Sequence, residues 1–287
     1  MDADHQPLLF EMLRSFTALA AHLNLSQAVE ELGSTRQTVR RHIALLEEAK
    51  GSPLFEVRDR QYQLTDAANK ALPEAHALLA RGRAWLSSEA GFEHGMLHIA
   101  KDEGDWRFFL QQQPLSNMWQ NGTPFLQTCI QAWAEAQGNI EHPAFEKIRP
   151  YVMVFRPYEK DWVCTEVGKQ SSYASWFGWE WQKSAVGRKL GALPGGPVIA
   201  AVMMDAFNEI KAHNGLRLDH VHTTVARSEN EPMMPLSYMR LLLGARYPDG
   251  SFALVNIIER TNDIQIEQMP DKYNRCMDPD LEMKIAV

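Results

Sequence analysis

Apolar positions in the first part of the chain recur with the period of a helix. Leu9, Met12, Phe16, Leu19 and Leu23 alternate spacings of three and four, which aligns them on one stripe of a first helix. Asn24-Leu25-Ser26 interrupts the pattern, and Ser26 is placed to cap a short second helix whose Ala28, Val29 and Leu32 face inward. Gly33 ends that helix and admits a tight turn. A third helix starts at Ser34, where Ser34 and Gln37 form an S-x-x-Q capping box, and Val39, Ile43 and Leu46 supply the buried stripe. The period then changes to two: Phe55 and Val57, then Tyr62 and Leu64, predict a hairpin around Asp59-Arg60. From Thr65 to Leu86, alanine, leucine and alternating charge predict a long helix. Ala71, Ala75, Leu78, Gly82 and Trp85 form its near-heptad seam, and Pro73 is placed to kink it.

Residues 91–148 mix Trp106, Phe108, Phe109, Trp119, Phe125 and Trp133 with glycine and proline, and Phe125–Ala136 is amphipathic with a helical period. The expectation is a helical connector. Beyond it, Tyr151–Phe155 and Trp162–Val167 flank a turn-rich Pro157–Asp161 and predict a hairpin. Short helices follow over Ala174–Gly187, and a longer one over Pro197–His213. Three strands come last, Leu218–Ala226, Tyr238–Ala245 and Phe252–Glu259, the final two separated by Pro248-Asp249-Gly250. Residues 263–287 are mixed and polar, with Pro270-Asp271-Lys272 and Pro279-Asp280, and are read as a tail. The fold class is α+β, divided into a head (1–64), a long helix (65–90), the connector (91–148), a sheet domain (149–262) and the tail.

Composition narrows the function. At 287 residues, 45% hydrophobic and 23% charged, the chain is long enough for about two globular domains. No apolar run approaches the roughly 18 residues of a membrane span, and Met1-Asp2-Ala3-Asp4-His5 is acidic where a secretory leader is basic, so a cytoplasmic protein without membrane contact is expected. Cys129, Cys164 and Cys276 are odd in number and far apart, which suggests reduced thiols rather than disulfides or a zinc site. The net charge of −7 requires any DNA-binding surface to be local. One local basic stretch exists: Arg36, Arg40 and Arg41, with no acidic residue between Ser34 and Leu46. At about 100° per residue, Ser34, Gln37, Thr38 and Arg41 face away from the core, with Arg40 beside them and Arg36 nearer its edge. Two helices joined by a glycine turn, the second presenting Arg, Gln and Thr, meet the requirement for entering a major groove. On periodicity alone, a helical hairpin with a solvated polar face fits equally well. Arg58 and Arg60 are positioned to reach a flanking phosphate or the minor groove, or to solvate a hairpin tip.

Residues 8 to 86 resemble the LysR-type winged helix-turn-helix. The matching stretches are Ser26-Gln27-Ala28-Val29-Glu30-Glu31-Leu32, Thr38-Val39-Arg40-Arg41-His42-Ile43, Leu46-Glu47-Glu48, Lys50-Gly51-Ser52-Pro53-Leu54-Phe55 and Leu64-Thr65-Asp66-Ala67-Ala68. Where many members have Ser-Gln-Pro this chain has Thr35-Arg36-Gln37, so base preference does not carry over; Lys50 and Ala68 also replace the usual Leu and Gly. The resemblance implies that the long helix pairs two heads as a homodimer or higher homo-oligomer on a pseudo-palindromic double-stranded DNA operator.

The later order of two strands, helices and three strands resembles the PAS sensor fold, an antiparallel sheet with flanking helices. The motifs are Ser175-Trp176-Phe177-Gly178, Val186-Gly187-Arg188-Lys189-Leu190 and Tyr238-Met239-Arg240-Leu241-Leu242-Leu243-Gly244 before Asp249-Gly250. The chain after Leu86 is too short for the two-lobed periplasmic-binding-like effector domain typical of LysR-type proteins. A PAS-like domain implies a cavity that holds a small-molecule effector or is filled by side chains. Trp162, Phe177, Trp179, Trp181, Phe207, His220, His222 and Tyr238 are candidates to line it or pack beside it. His220 and His222 share one side of a strand, which suits a metal only if further ligands join them; surface or core histidines are the plainer reading. No Cys-x-x-Cys-His or flavin-linking cysteine motif is present, so no cofactor is indicated, and no metal site is assigned. His94, His98, Asp102 and Glu103 lack a nucleophile or metal pattern and fit a solvated face, so no catalytic residue and no enzyme is expected. These resemblances imply a dimeric transcriptional regulator with a PAS-like sensor. The alternative is an adaptor whose PAS-like part recruits another protein without a ligand.

Overall fold

The computed structural model of the chain describes residues 8–58, 61–87, 90–103, 106–159, 161–194, 196–228 and 231–285. It divides into two units, Met1–Ser88 and Glu89–Val287. Among the described residues no helix is long and apolar enough to cross a membrane.

In the first unit α1 (Leu9–His22), α2 (Leu25–Leu32) and α3 (Arg36–Lys50) bury Met12, Phe16, Leu19, Ala28, Val39, Ile43 and Leu46 in one core with Leu54. These are the positions that the three-and-four spacing selects. Asn24, not Ser26, caps α2: its side chain accepts from the N–H groups of Ser26 and Gln27. After α3 the Glu47 carboxylate accepts from the N–H groups of Leu54 (2.7 Å) and Phe55 (3.1 Å), which fixes the chain's entry into the β1 (Phe55–Arg58) and β2 (Gln61–Leu64) hairpin. Thr65 Oγ1 then donates to the Pro53 carbonyl (2.7 Å) and accepts from Ala68 N–H (3.2 Å), starting α4 (Asp66–Ser87), which runs on through Pro73.

The seam expected on α4 divides. Ala71 and Ala75 pack into the unit's own core, and a Cβ built at Gly82 would lie 2.7 Å from the Phe10 ring, so Gly82 is where α1 approaches α4. Leu78 and Trp85 stay outside that packing, 43% and 76% exposed.

The second unit is built on an eight-stranded antiparallel sheet. Its strands in chain order are β3 (Ala90–Glu93), β4 (Met96–Glu103), β5 (Trp106–Gln113), β6 (Val152–Tyr158), β7 (Asp161–Val167), β8 (Leu216–Val225), β9 (Met234–Arg246) and β10 (Phe252–Arg260). In space they run β3-β4-β5-β8-β9-β10-β6-β7. The expected helical connector is therefore corrected. Residues 90–93, 96–103 and 106–113 are three strands of this sheet, and helix appears afterwards, in α5 (Asn117–Gln120) and α6 (Pro124–Glu135). The reason is burial on both sides of β5. Phe108 and Leu110 enter one apolar cluster while Phe109, between them, enters another, which removes the apolar–polar alternation that marks a strand.

One face of the sheet carries α6 over Val152, Val154, Leu241, Leu243, Val255 and Ile257. The opposite face carries α7 (Ser172–Phe177), α8 (Trp179–Ala185) and α9 (Gly196–His213) over Met153, Phe155, Leu242 and Leu254. On the α9 side the fully buried Asp219 accepts from Arg217 Nε (2.8 Å) and from Arg240 Nη2 (2.8 Å), its cross-strand partner. Burial raises the cost of this carboxylate, but the two guanidiniums more than offset it and hold Asp219 below its ordinary range.

The segment read as a polar tail is also corrected. Met269, Tyr273 and Met277 are buried, and residues 261–285 form a strap across the β4, β5 and β8 strands. A row of polar side chains completes the strap's backbone. Gln265 N–H donates to His220 Nδ1 (2.8 Å), Glu267 N–H donates to Gln111 Oε1 (3.0 Å), Gln113 Nε2 donates to the Gln265 carbonyl (2.8 Å) and His98 Nε2 to the Glu267 carbonyl (2.9 Å). His222, stacked on Tyr273, pairs through Nδ1 with Ser237 Oγ (3.0 Å). Burial lowers both His220 and His222 from the ordinary 6.5 to about 4, so both are neutral at pH 7.

The unfolded chain thus takes up protons below about pH 6.5 that the folded chain refuses until about pH 4. Stability is full above this window and is lost as pH falls through it. Each histidine should remove roughly 1–2 kcal/mol by pH 5.5 and roughly 2–3 kcal/mol by pH 4.5. Urea unfolding at pH 7.5, 5.5 and 4.5 measures this, and His222→Gln should flatten the profile. An unchanged slope in the variant would count against it.

Candidate nucleic-acid interface and cavity

The presentation of α3 depends on how α2 ends. Gly33 is left-handed (φ 57°), its N–H bonds the Glu30 carbonyl, and Ser34 N–H bonds the Val29 carbonyl. Ser34 thereby still belongs to the turn that closes α2. The cap of α3 falls one residue later, on Thr35, whose Oγ1 accepts from Thr38 N–H (3.1 Å) and lies 2.9 Å from Thr38 Oγ1. This corrects the expected Ser34–Gln37 capping box, and it frees the Gln37 side chain from a capping role.

Gln37, Arg40 and Arg41 are exposed along one side of α3 and have no partner among the described residues. Arg36 is exposed too, but its Nη2 donates to Ser26 Oγ (2.8 Å), tying the start of α3 to α2. Ser34 and Thr38 are half-buried, and Thr35 is exposed. On the opposite side, His42 Nδ1 pairs with Ser15 Oγ (2.9 Å), holding α3 against α1. The result is a rigid helix whose unpaired side offers guanidinium and amide groups, the combination that pairs with guanine and adenine edges and with phosphates. Arg58 at the end of β1 is exposed and pairs with Glu56 (3.0 Å). Arg60 lies outside the described residues.

In the second unit a cavity of about 120 Å³ lies between the sheet and the α7–α9 side. Met153, Phe155, Leu193, Ala200 and Met203 give it mostly apolar walls. Of the eight residues expected to line or neighbour such a space, Phe177 and Tyr238 line it. Trp162 and Phe207 are core residues packed edge to face at 5.4 Å, with Trp162 Nε1 donating to Asn208 Oδ1. Trp179 is 64% exposed under Lys183, and Trp181 lies beneath Arg188. His220 and His222 belong to the opposite face, where they serve the strap. No group of three or more metal-ligating side chains occurs among the described residues. Burial raises the thiols of Cys129 and Cys164, the latter to about 12, so neither is a thiolate at neutral pH.

The residues that sequence reasoning missed are polar. Tyr173, Trp176 and Asn256 line the cavity, and Tyr173 OH, Trp176 Nε1 and Asn256 Oδ1 are buried without a hydrogen-bond partner among the described residues. The signal available was Asn256 itself, a lone amide inside the apolar run Phe252–Ile258.

Residues 10–69 match the family described as bacterial regulatory helix-turn-helix protein, lysR family. The HTH-type transcriptional regulator CbbR of Rhodospirillum rubrum is 37% identical over 76 residues, 26% of this chain and 26% of that protein. The HTH-type transcriptional regulator BudR of Klebsiella aerogenes is 32% identical over 84 residues, 29% of this chain and 59% of that protein. The chain thus spans about a quarter to three fifths of the length of these curated relatives. A solved structure titled as a CbnR DNA-binding-domain complex with DNA is 30% identical over 28% of this chain and 92% of its own, with a TM-score of 0.26.

The slipped cap predicts a contrast between neighbours. Thr35→Ala should lower the stability of the first unit by about 1 kcal/mol, while Ser34→Ala should change it by less than about 0.5 kcal/mol. Thermal unfolding of the two variants decides which residue caps α3.

Proposed function

We propose that this chain is a sequence-specific, DNA-binding transcriptional regulator that acts as a dimer and whose second unit is a PAS-like sensor of a small molecule. The observation that carries the DNA-binding reading is the unpartnered Gln37, Arg40 and Arg41 side of α3, within the segment that matches the lysR-family helix-turn-helix. Gln37 reads a base edge, Arg40 and Arg41 hold a base edge or phosphate, and Thr35, Thr38, Ser34 and Arg36 set the start of the helix at the groove. The hairpin arginines Arg58 and Arg60 reach the flanking backbone. Exposed Leu78 and Trp85, seven residues apart on α4, support pairing of two heads through that helix, which calls for an operator with two-fold symmetry.

Strand order supports the PAS-like reading. Five adjacent strands run β7-β6-β10-β9-β8, so the first two strands and the last three of the run pair with its first and last members at the centre, with α7–α9 inserted between them in sequence. The cavity lies on the side of those helices. A ligand there acts on DNA binding only by favouring one arrangement of the dimer over another, through its differential affinity for the two.

Arg40→Ala and Arg41→Ala should each weaken operator binding, and a residue on phosphate should reduce the slope of log K against log salt by about 1. Gln37→Ala should relax preference at one base position at a cost of about 1–3 kcal/mol. Binding titrations on DNA that co-purifies with the protein test this; wild-type affinity in the Arg40/Arg41 double variant would overturn the assignment. Trp85→Glu should shift the sedimentation profile toward monomer and weaken binding to a two-half-site operator more than to a single half-site.

A further inference from the structure

The cavity on the α9 side of the sheet specifies more about its occupant than its size. An engineered apolar cavity of about 150 Å³ holds benzene, so about 120 Å³ suits a single small ring or a compact aliphatic molecule. The seventeen described lining residues include no aspartate, glutamate, lysine, arginine or histidine. A charged occupant would lose its hydration with no counter-charge among them, which weighs heavily against a carboxylate or an amine.

Apart from Tyr238, the polar side chains of the lining fall into two sets. Those of Ser172 and Thr223 are already engaged: Ser172 Oγ accepts from Arg260 (3.0 Å), and Thr223 Oγ1 donates to the Arg107 carbonyl (2.8 Å). Those of Tyr173, Trp176 and Asn256 are not. An indole N–H only donates, an amide oxygen only accepts, and a phenol does either. Leaving three such atoms buried and unpaired is costly, and no partner for them occurs among the described residues. The missing complement is therefore an atom that accepts one hydrogen bond and donates another, on an otherwise apolar and uncharged body. A hydroxyl does both on a single atom.

We propose that this cavity binds a neutral, benzene-sized hydroxyl compound, an alcohol or a phenol, with its ring or chain among Met153, Phe155, Ala200 and Met203 and its hydroxyl satisfied by Tyr173, Trp176 and Asn256. The inference rests on the reading of the second unit as the sensory part.

The test uses the full chain and four probes: phenol, cyclohexanol, benzene and benzoate. Calorimetric titration and thermal shift should show phenol and cyclohexanol binding, benzene about tenfold more weakly, as the loss of one buried hydrogen bond implies, and benzoate not at all. Tyr173→Phe, which removes only an unpaired hydroxyl, should fold as well as wild type and narrow the preference for phenol over benzene. Ala200→Phe should fill the space and abolish binding of every neutral probe. Equal affinity for benzene and phenol would overturn the hydroxyl assignment, tight binding of benzoate would overturn neutrality, and failure of both alcohols to bind would overturn the proposal as a whole. Operator affinity measured with and without phenol separates the two readings. Phenol bound with unchanged DNA affinity leaves the ligand class standing and removes the sensory role. Intact DNA binding by a chain that takes none of the probes does the reverse.

Discussion

An antiparallel sheet covered on both faces leaves its middle strands without water, so every polar group on them must be answered from within the protein. The β8 strand meets this constraint on both sides. Towards α9 it carries Asp219, neutralised by Arg217 and by Arg240 directly across on β9. A charge at that place is tolerable only when paired; removing the Asp219 carboxylate would leave buried Arg240 without its partner and leave Arg217 with Glu209 alone. Towards the other face β8 carries His220 and His222, kept neutral by the same burial and bonded to the strap and to Ser237. The two solutions differ chemically because their partners differ. Rigid neighbouring strands can hold opposed charges, whereas an irregular strap offers backbone N–H and carbonyl groups, which neutral imidazoles and side-chain amides match.

The cavity departs furthest from this accounting, with three unpaired atoms on residues that line one space. Most buried polar groups along β8 and β10 are answered by a neighbour, as Arg260 is by Ser172, Ser175 and the Leu281 carbonyl; Arg217 Nη2 stays unpaired although its Nε and Nη1 are bonded. Those of Tyr173, Trp176 and Asn256 are not answered. Native structures keep such groups few, and a cluster of them around one space is most simply read as half of an interaction whose other half is a separate molecule.

The first unit was legible in the sequence because its contacts are local. Val39, Ile43 and Leu46 announce a buried stripe, and the same stripe defines the outward side with Gln37, Arg40 and Arg41. What periodicity misjudged there was a single residue of phase: Ser34 looks like a cap until its N–H is found closing the preceding turn, which moves the cap to Thr35. The second unit was legible from β6 to β10, where turns and apolar runs punctuate each other. It was illegible at β3–β5 and in the strap. Phe108, Phe109 and Leu110 are buried in succession, so no alternation marks a strand. The strap is polar in sequence yet anchored, because its bonds come from residues such as Gln111 and His98, more than 150 positions away. Of the cavity's unpaired polar residues, Asn256 marks itself as a lone amide in an apolar run, while Tyr173 and Trp176 do not, because an unpaired atom leaves no pattern along a chain.

The pairing of β5 with β8 has a consequence for synthesis. Phe109 lies opposite His222, so the β3–β5 strands must leave the ribosome and wait for roughly a hundred further residues before their outer partner exists. The helices and hairpin of the first unit, whose contacts close within its own length, have no such delay. A nascent chain therefore carries a finished head alongside an open sheet edge, and the strap, which follows β10 in the chain, covers that face later still. The order of emergence makes the second unit the slow step in the chain's maturation and the exposed edge of β5 the surface most in need of protection while it lasts.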